Sequence, residues 1–149
     1  MPLKRLCLDT NIYIIGTQNS DSEEAEILSA IGYYGRVSDL LDVEVILSPE
    51  LIDQIRRVGK YLWGKDRVGF VLGLILSRLN IHYVSPDSEW NQLLEELNDS
   101  GQIPSEDIEI FLSAKLGETD CFVASNRKLI RAIAEFECLT PVDFIKKYL

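Results

Sequence analysis

Leu6-Cys7-Leu8-Asp9-Thr10-Asn11 decides how this chain is read. An apolar run of strand type stops at a carboxylate, and two small polar residues follow it. In an open α/β sheet, residues just past the carboxyl ends of the strands line the crevice where ligands bind. An Asp at that point has two uses. It can hold a hard divalent cation through oxygen, or it can cap the helix that follows. Taken alone, capping is the simpler account, and other residues must shift the balance.

Working outward, residues 4–8 form the first strand, and residues 10–18 read as a helix, although Ile12, Tyr13, Ile14 and Ile15 also suit a strand. Residues 23–31 follow as a helix with Ala25, Ile27, Leu28 and Ile31 on one side. Residues 37–41 fit one short helical turn, and 43–47 form the second strand. Ser48-Pro49-Glu50 then opens a helix with an N-cap, a proline at the first position and an acid in the first turn. The same device recurs at Ser85-Pro86-Asp87, after a strand at 81–84, and at Thr140-Pro141-Val142-Asp143, after a strand at 137–139. Strand-to-helix junctions written alike predict repeated β-α units and hence a parallel sheet. Helices are expected at 51–61, 66–79 and 89–97, then a loop at 98–101, a helix capped by Ser105 and running to 116, a strand at 121–124, and helices at 127–136 and 141–149. The fold expected is a single α/β domain over 1–149, a three-layer α/β/α sandwich around a central, mostly parallel sheet of about five strands.

Composition sets limits. A chain of 149 residues suits one domain and is long enough to bury roughly two-thirds of its unfolded surface. No stretch reaches the 18 or so apolar residues that span a bilayer; the longest apolar-rich run, residues 68–76, is nine long and contains Gly69 and Gly73. Met1 to Arg5 lead into a strand ending at Asp9 and do not read as a signal peptide, so the cytoplasm is the expected location. Cys7, Cys121 and Cys138 show no CxxC spacing and lie in apolar runs, as reduced core thiols do. A net charge of −9 makes the chain a poor nonspecific binder of nucleic acid, because phosphate affinity rests on Lys and Arg. A polyanion partner must meet a local basic patch, or a metal must offset the repulsion.

The acids to weigh are Asp9, Glu50, Asp53, Asp107 and Asp120, each just after a strand, in a first helical turn or beside a strand. Each has a structural alternative: Glu50 and Asp107 complement helix dipoles, and Asp120 can be a turn residue after Gly117. A metal nuclease needs several such carboxylates to converge, since oxygen ligands hold the ion that activates water and neutralises phosphate.

The opening Leu8-Asp9-Thr10-Asn11, followed by an apolar helix, resembles that of PIN-domain proteins. The run from Asp107 through Ala114 and Asp120 to Ser125-Asn126-Arg127 resembles that family's second signature, and Leu139-Thr140-Pro141-Val142-Asp143-Phe144 its closing strand and helix. The resemblance covers essentially the whole chain. It implies a Mg²⁺- or Mn²⁺-dependent endoribonuclease, often the toxin of a toxin–antitoxin pair, with RNA as substrate and an antitoxin or a second copy as partner. By matching position it implies Asp9, Asp107 and Asp120 as catalytic and metal-binding acids. Thr10, Asn11, Gln54, Ser125 and Asn126 would support them. Gln54 stands where the family usually has Glu, and Glu50, one turn earlier on the same helix face, is the candidate replacement. A catalytically impaired module that binds RNA or a protein is the alternative.

Two basic groups bear on RNA. Arg56, Arg57, Lys60, Lys65 and Arg67 form the densest cluster, with Tyr61 and Trp63 inside it, a mixture suited to single strands. Arg127, Lys128 and Arg131 follow the candidate site and are the better placed to steer a phosphate. Gly69 and Gly73 allow either a dimer interface or a buried core helix. His82, alone and inside a strand, reads as structural and argues against a histidine general base.

Overall fold

The structure, a computed structural model, describes residues 3–35 and 40–149. Five strands form one sheet: β1 (Arg5–Leu8), β2 (Glu44–Leu47), β3 (Ile81–Tyr83), β4 (Cys121–Val123) and β5 (Glu137–Leu139). They lie in the order β3-β2-β1-β4-β5, and every pairing is parallel, so the expected mostly parallel sheet is wholly so. The central strands β1, β2 and β4 are buried nearly throughout, as their apolar runs require of a sheet covered on both faces. The chain lays down β1, β2 and β3 in one direction, then returns to the other side of β1 for β4 and β5. Right-handed crossovers therefore send helices to both faces, and the direction reverses between β1 and β4.

The helices are α1 (Thr10–Gln18), α2 (Glu23–Ala30), α3 (Pro49–Trp63), α4 (Lys65–Arg78), α5 (Ser88–Ser100), α6 (Ile108–Leu116), α7 (Arg127–Ala132) and α8 (Pro141–Tyr148). Two of the three strand-to-helix devices work as read: the Ser48 hydroxyl accepts from the Leu51 N–H and the Thr140 hydroxyl from the Asp143 N–H, each with proline at the start of the helix. The middle one differs. Asp87, not Ser85, caps α5 by accepting from the Trp90 N–H, and the helix expected over 89–97 spans Ser88–Ser100. The loop expected at 98–101 is the last turn of α5, closed by Gly101 in the left-handed region at φ 67°. Ser105 caps nothing: Ser105–Asp107 is a 3-10 turn and the α-helix starts at Ile108. The helix expected over 127–136 stops at Ala132, because the chain must extend to enter β5. The turn expected at 37–41 falls largely outside the described residues.

Cys7, Cys121 and Cys138 are free, and burial pushes all three thiols up, which makes them poor nucleophiles. His82 lies on the edge strand β3, its Nδ1 3.8 Å from the Glu44 carboxylate. A Cβ on Gly69 or Gly73 would meet nothing within 4 Å, so these glycines face open space and are not a close helix approach within the chain. No helix among the described residues is long and apolar enough to cross a membrane.

Gly117 closes α6 where it packs on β2. A Cβ there would lie 2.8 Å from Ile46 Cδ1 and 2.9 Å from the Ser113 carbonyl. Overpacking of this kind costs about 1–3 kcal/mol. Gly117→Ala is expected to lower unfolding stability by that amount in a urea titration.

Candidate metal and nucleic-acid site

Where the crossover direction reverses, the carboxyl ends of β1 and β4 part and leave a crevice of about 390 Å³, lined by Asp9, Thr10, Asn11, Gln54, Arg57, Val58, Glu106, Asp107 and Asn126. This is the position at which open α/β sheets bind ligands. Of the two uses weighed for Asp9, the structure shows the cap. Its Oδ1 accepts from the Thr10 N–H at 2.8 Å and caps α1, while its own N–H donates to the Val123 carbonyl at 3.0 Å and ties it to the end of β4. Burial raises its pKa above the usual carboxylate range, and the Asp107 charge adds to the rise despite the Thr10 bond. Asp107 is also raised, by burial and then by Glu106.

The neutral groups are held in place. The Thr10 hydroxyl donates to Gln54 Oε1 at 2.7 Å, joining α1 to α3 across the crevice. Asn126 Oδ1 accepts from the Leu129 N–H at 3.1 Å and caps α7. Behind them, the Ser48 and Ser113 hydroxyls meet at 2.7 Å in a buried bridge, and Ser113 also donates to the Glu109 carbonyl. That bridge ties the start of α3 to α6, the two elements that carry Gln54 and follow Asp107 along the crevice.

Several sequence-assigned residues lie outside the crevice. Asp120 precedes β4, and in an all-parallel sheet the residue before a strand lies at the edge opposite the one after it. Its Oδ2 accepts from the Lys4 and Arg5 N–H groups at 2.9 Å each, and its N–H donates to the Arg5 carbonyl. Asp9 stands four residues further along β1, ~13 Å away at ~3.3 Å per residue. Asp120 is thus a clamp on the start of β1 and shares no site with Asp9 and Asp107. Glu50, the candidate replacement acid, is not part of the crevice lining; burial and the nearby Glu109 carboxylate of α6 raise its pKa. Ser125 and Arg127 line a neighbouring cavity, while Lys128 and Arg131 are exposed on α7 and line neither.

Arg57, Val58 and Glu106 also line the crevice, and of these only Arg57 was singled out in the sequence, as part of the basic cluster. Glu106 sits beside Asp107 in the 3-10 turn, and its signal was hidden by the expectation of an α-helix there. Arg57 lies one turn after Gln54 on α3, so its position was legible in the spacing; its guanidinium pairs with Asp53 at 3.1 Å. Arg56, Lys60 and Lys65 of the same basic cluster surround a separate cavity between α3 and α4 with Val68, Gly69 and Leu72. Arg67 lies 5.6 Å from the Trp63 ring.

Among the described residues, Asp9 and Asp107 form no ion pair, and no three His, Cys, Asp or Glu side chains are grouped closely enough to hold an ion by themselves. Two partly desolvated carboxylates with neutral oxygens nearby fit a hard cation that keeps several waters and borrows ligands from a phosphate, as Mg²⁺ does. They do not form an all-protein cage.

Asp120 and Asp9 can be separated by mutation. Asp120→Ala removes two N–H bonds at an exposed edge and is expected to cost about 0.5–1.5 kcal/mol per bond at most, while leaving divalent-cation binding unchanged in calorimetry.

No protein-family model and no curated protein sequence matches the chain. Solved structures do. The chain is similar to VapBC-1 of nontypeable Haemophilus influenzae at 18% identity and a TM-score of 0.63, over 93% of this chain and 98% of the other. It is similar to DNA-bound VapBC of Salmonella typhimurium at 16% identity and a TM-score of 0.66, over 93% and 99%. A toxin–antitoxin complex from Klebsiella pneumoniae matches at 15% identity and a TM-score of 0.62, over 91% and 97%. At such identities the likeness defines the fold. The chain has the PIN-like α/β fold.

Proposed function

We propose that this chain is a metal-dependent endoribonuclease and the toxin of a toxin–antitoxin pair. The observation that carries the proposal is the meeting of Asp9 and Asp107 in one crevice at the β1/β4 switch point, each with a raised pKa and neither with a cationic partner among the described residues. A bound Mg²⁺ or Mn²⁺ would lower the pKa of a water and offset phosphate charge. The chain's own residues supply the rest. Asp9 and Asp107 offer carboxylate oxygens, and Asp9 keeps its orientation through the Thr10 N–H. Thr10 fixes Gln54, whose amide faces the same space, and Arg57 stands at the wall where a scissile phosphate would lie. The lack of a histidine in the crevice leaves proton transfer to carboxylates and water.

The toxin assignment draws on the fold shared with the VapBC and toxin–antitoxin complexes, and the expected partners follow from it. An antitoxin or a second copy needs apolar surface, and Tyr61, Leu62, Phe70 and Leu76 are exposed on α3 and α4. A non-catalytic module binding RNA or a protein is the second reading. Gln54 and Asn126 favour it, because both are neutral where further negative charge would strengthen a cation site.

The test is Mn²⁺ titration calorimetry alongside cleavage of a labelled single-stranded RNA, with and without EDTA. Saturable binding and EDTA-sensitive cleavage support the nuclease. No binding at millimolar Mn²⁺, with RNA left intact, removes it in favour of the binding module.

A further inference from the structure

A second cavity, of about 180 Å³, opens on the same edge of the sheet and is lined by Glu24, Ser125, Arg127, Thr140, Pro141 and Val142. Asn126 belongs to the crevice wall, and Ser125 and Arg127 belong to this one, so the two spaces lie on either side of a single residue in the β4–α7 turn. The cavity is built from the first turns of α2 and α8, which pack on each other, and from that turn.

Glu24 is the informative member. It is 8% exposed, and among the described residues no other residue hydrogen-bonds or ion-pairs with its carboxylate. The acid is set back in the cavity but not sealed from it, so its carboxylate is free to meet a donor there. Helix-dipole complementation does not call for it, since Glu23 and Glu26 stand in the same first turn. Arg127 makes no ion pair among the described residues either. The Thr140 oxygen accepts from the Asp143 N–H, which leaves its own O–H to donate elsewhere. Pro141 and Val142 supply an apolar wall.

We propose that the Glu24–Arg127 cavity binds a guanine base, on the nucleotide adjoining the one held in the crevice. The proposal rests on the nuclease reading and deepens it. Guanine carries N1–H and N2–H₂ side by side, a donor pair matched to one carboxylate. It also carries O6 and N7, the acceptor pair that a guanidinium reads. Adenine and cytosine offer a carboxylate one amino group without the adjacent N–H, and the uracil N3–H is flanked by two carbonyls that repel it. The apolar wall of Pro141 and Val142 covers a base face, and the Ser125 and Thr140 hydroxyls remain for sugar or phosphate.

The test uses the whole chain with guanosine, inosine and adenosine 5′-monophosphates in EDTA, followed by ¹H–¹⁵N chemical shifts. Guanosine monophosphate should shift the Glu24, Ser125, Arg127 and Val142 amides saturably and bind at least about fivefold more tightly than inosine monophosphate, which lacks the 2-amino group. Glu24→Gln should erase that preference. Arg127→Met, on an exposed side chain that the fold does not need, should weaken guanosine and inosine monophosphates alike. Equal binding of the three nucleotides, shifts elsewhere, or a preference that survives Glu24→Gln overturns the subsite. The nuclease reading stands or falls separately. Mn²⁺-dependent cleavage indifferent to guanine leaves it intact without the subsite, and guanine binding without cleavage leaves the subsite in a binding module.

Discussion

Asp9→Asn is expected to abolish Mn²⁺ binding and to lower RNA cleavage by more than the 10- to 100-fold typical of losing an outer partner of a metal ligand. The substitution changes one charge and almost nothing else. Asn caps helices as well as Asp does, so the bond from the Thr10 N–H to Oδ1 survives, and so does the backbone bond to Val123. A second readout separates lost chemistry from lost folding. Burial and the Asp107 charge raise the folded-state pKa of Asp9, so its ionisation opposes folding: the favourable contribution is fully present below the unfolded value and lost as pH rises through the folded one. Asp9→Asn escapes that loss. In EDTA at neutral pH its Tm should exceed that of the wild type, and the gap should close as the pH falls into the carboxylate range. A variant that cleaves RNA like the wild type would end the nuclease assignment, and a collapsed Tm would mean that Asp9 matters as a cap.

Gln54→Glu should do the reverse. The Gln54 Oε1 already accepts the Thr10 hydroxyl at 2.7 Å. A Glu carboxylate accepts the same bond and leaves a second, charged oxygen for the crevice. A unit charge ~4–5 Å from a divalent ion is worth several kcal/mol at an effective dielectric of ~20 before solvent screening. Mn²⁺ affinity should therefore rise at least about tenfold, with faster cleavage at limiting metal, and metal-free stability should fall as another acid joins Asp9, Glu106 and Asp107. Unchanged Mn²⁺ affinity would show that position 54 does not face the cation, and the weak acid set of the natural chain would need another explanation.

The fold was legible because its signals are local. Leu8-Asp9-Thr10-Asn11 marks the end of a buried strand, and Ser48-Pro49 and Thr140-Pro141 mark helix starts after strands, which suffices for repeated parallel units. Ser85-Pro86 misled because the following Asp87 is an equally good cap, and two residues of chain separate the alternatives. Asp9, Thr10, Asn11, Gln54, Asp107 and Asn126, all singled out in the sequence, line one crevice, and each lies just after a strand, at a helix start or in the first two turns of a helix. Asp120 failed for a topological reason. Its adjacency to a strand was visible, but only the direction of that strand assigns it to the far edge. Glu106 was hidden by the difference between a 3-10 and an α turn. Glu50 needed a fact of tertiary packing, the approach of Glu109 from α6, that helical spacing does not contain.

The clamp at Asp120 has a consequence for how such a chain changes over time. What ties β1 to β4 at one end of the sheet is a carboxylate that never meets the crevice, and the crevice side chains at the other end hold the fold through bonds that an acid or its amide makes equally well. Replacing Gln54 or Asn126 by an acid, or Asp9 by an amide, leaves the caps and strand pairings as they are. Single substitutions can therefore change the charge of the crevice by one unit while every cap and strand pairing stays in place.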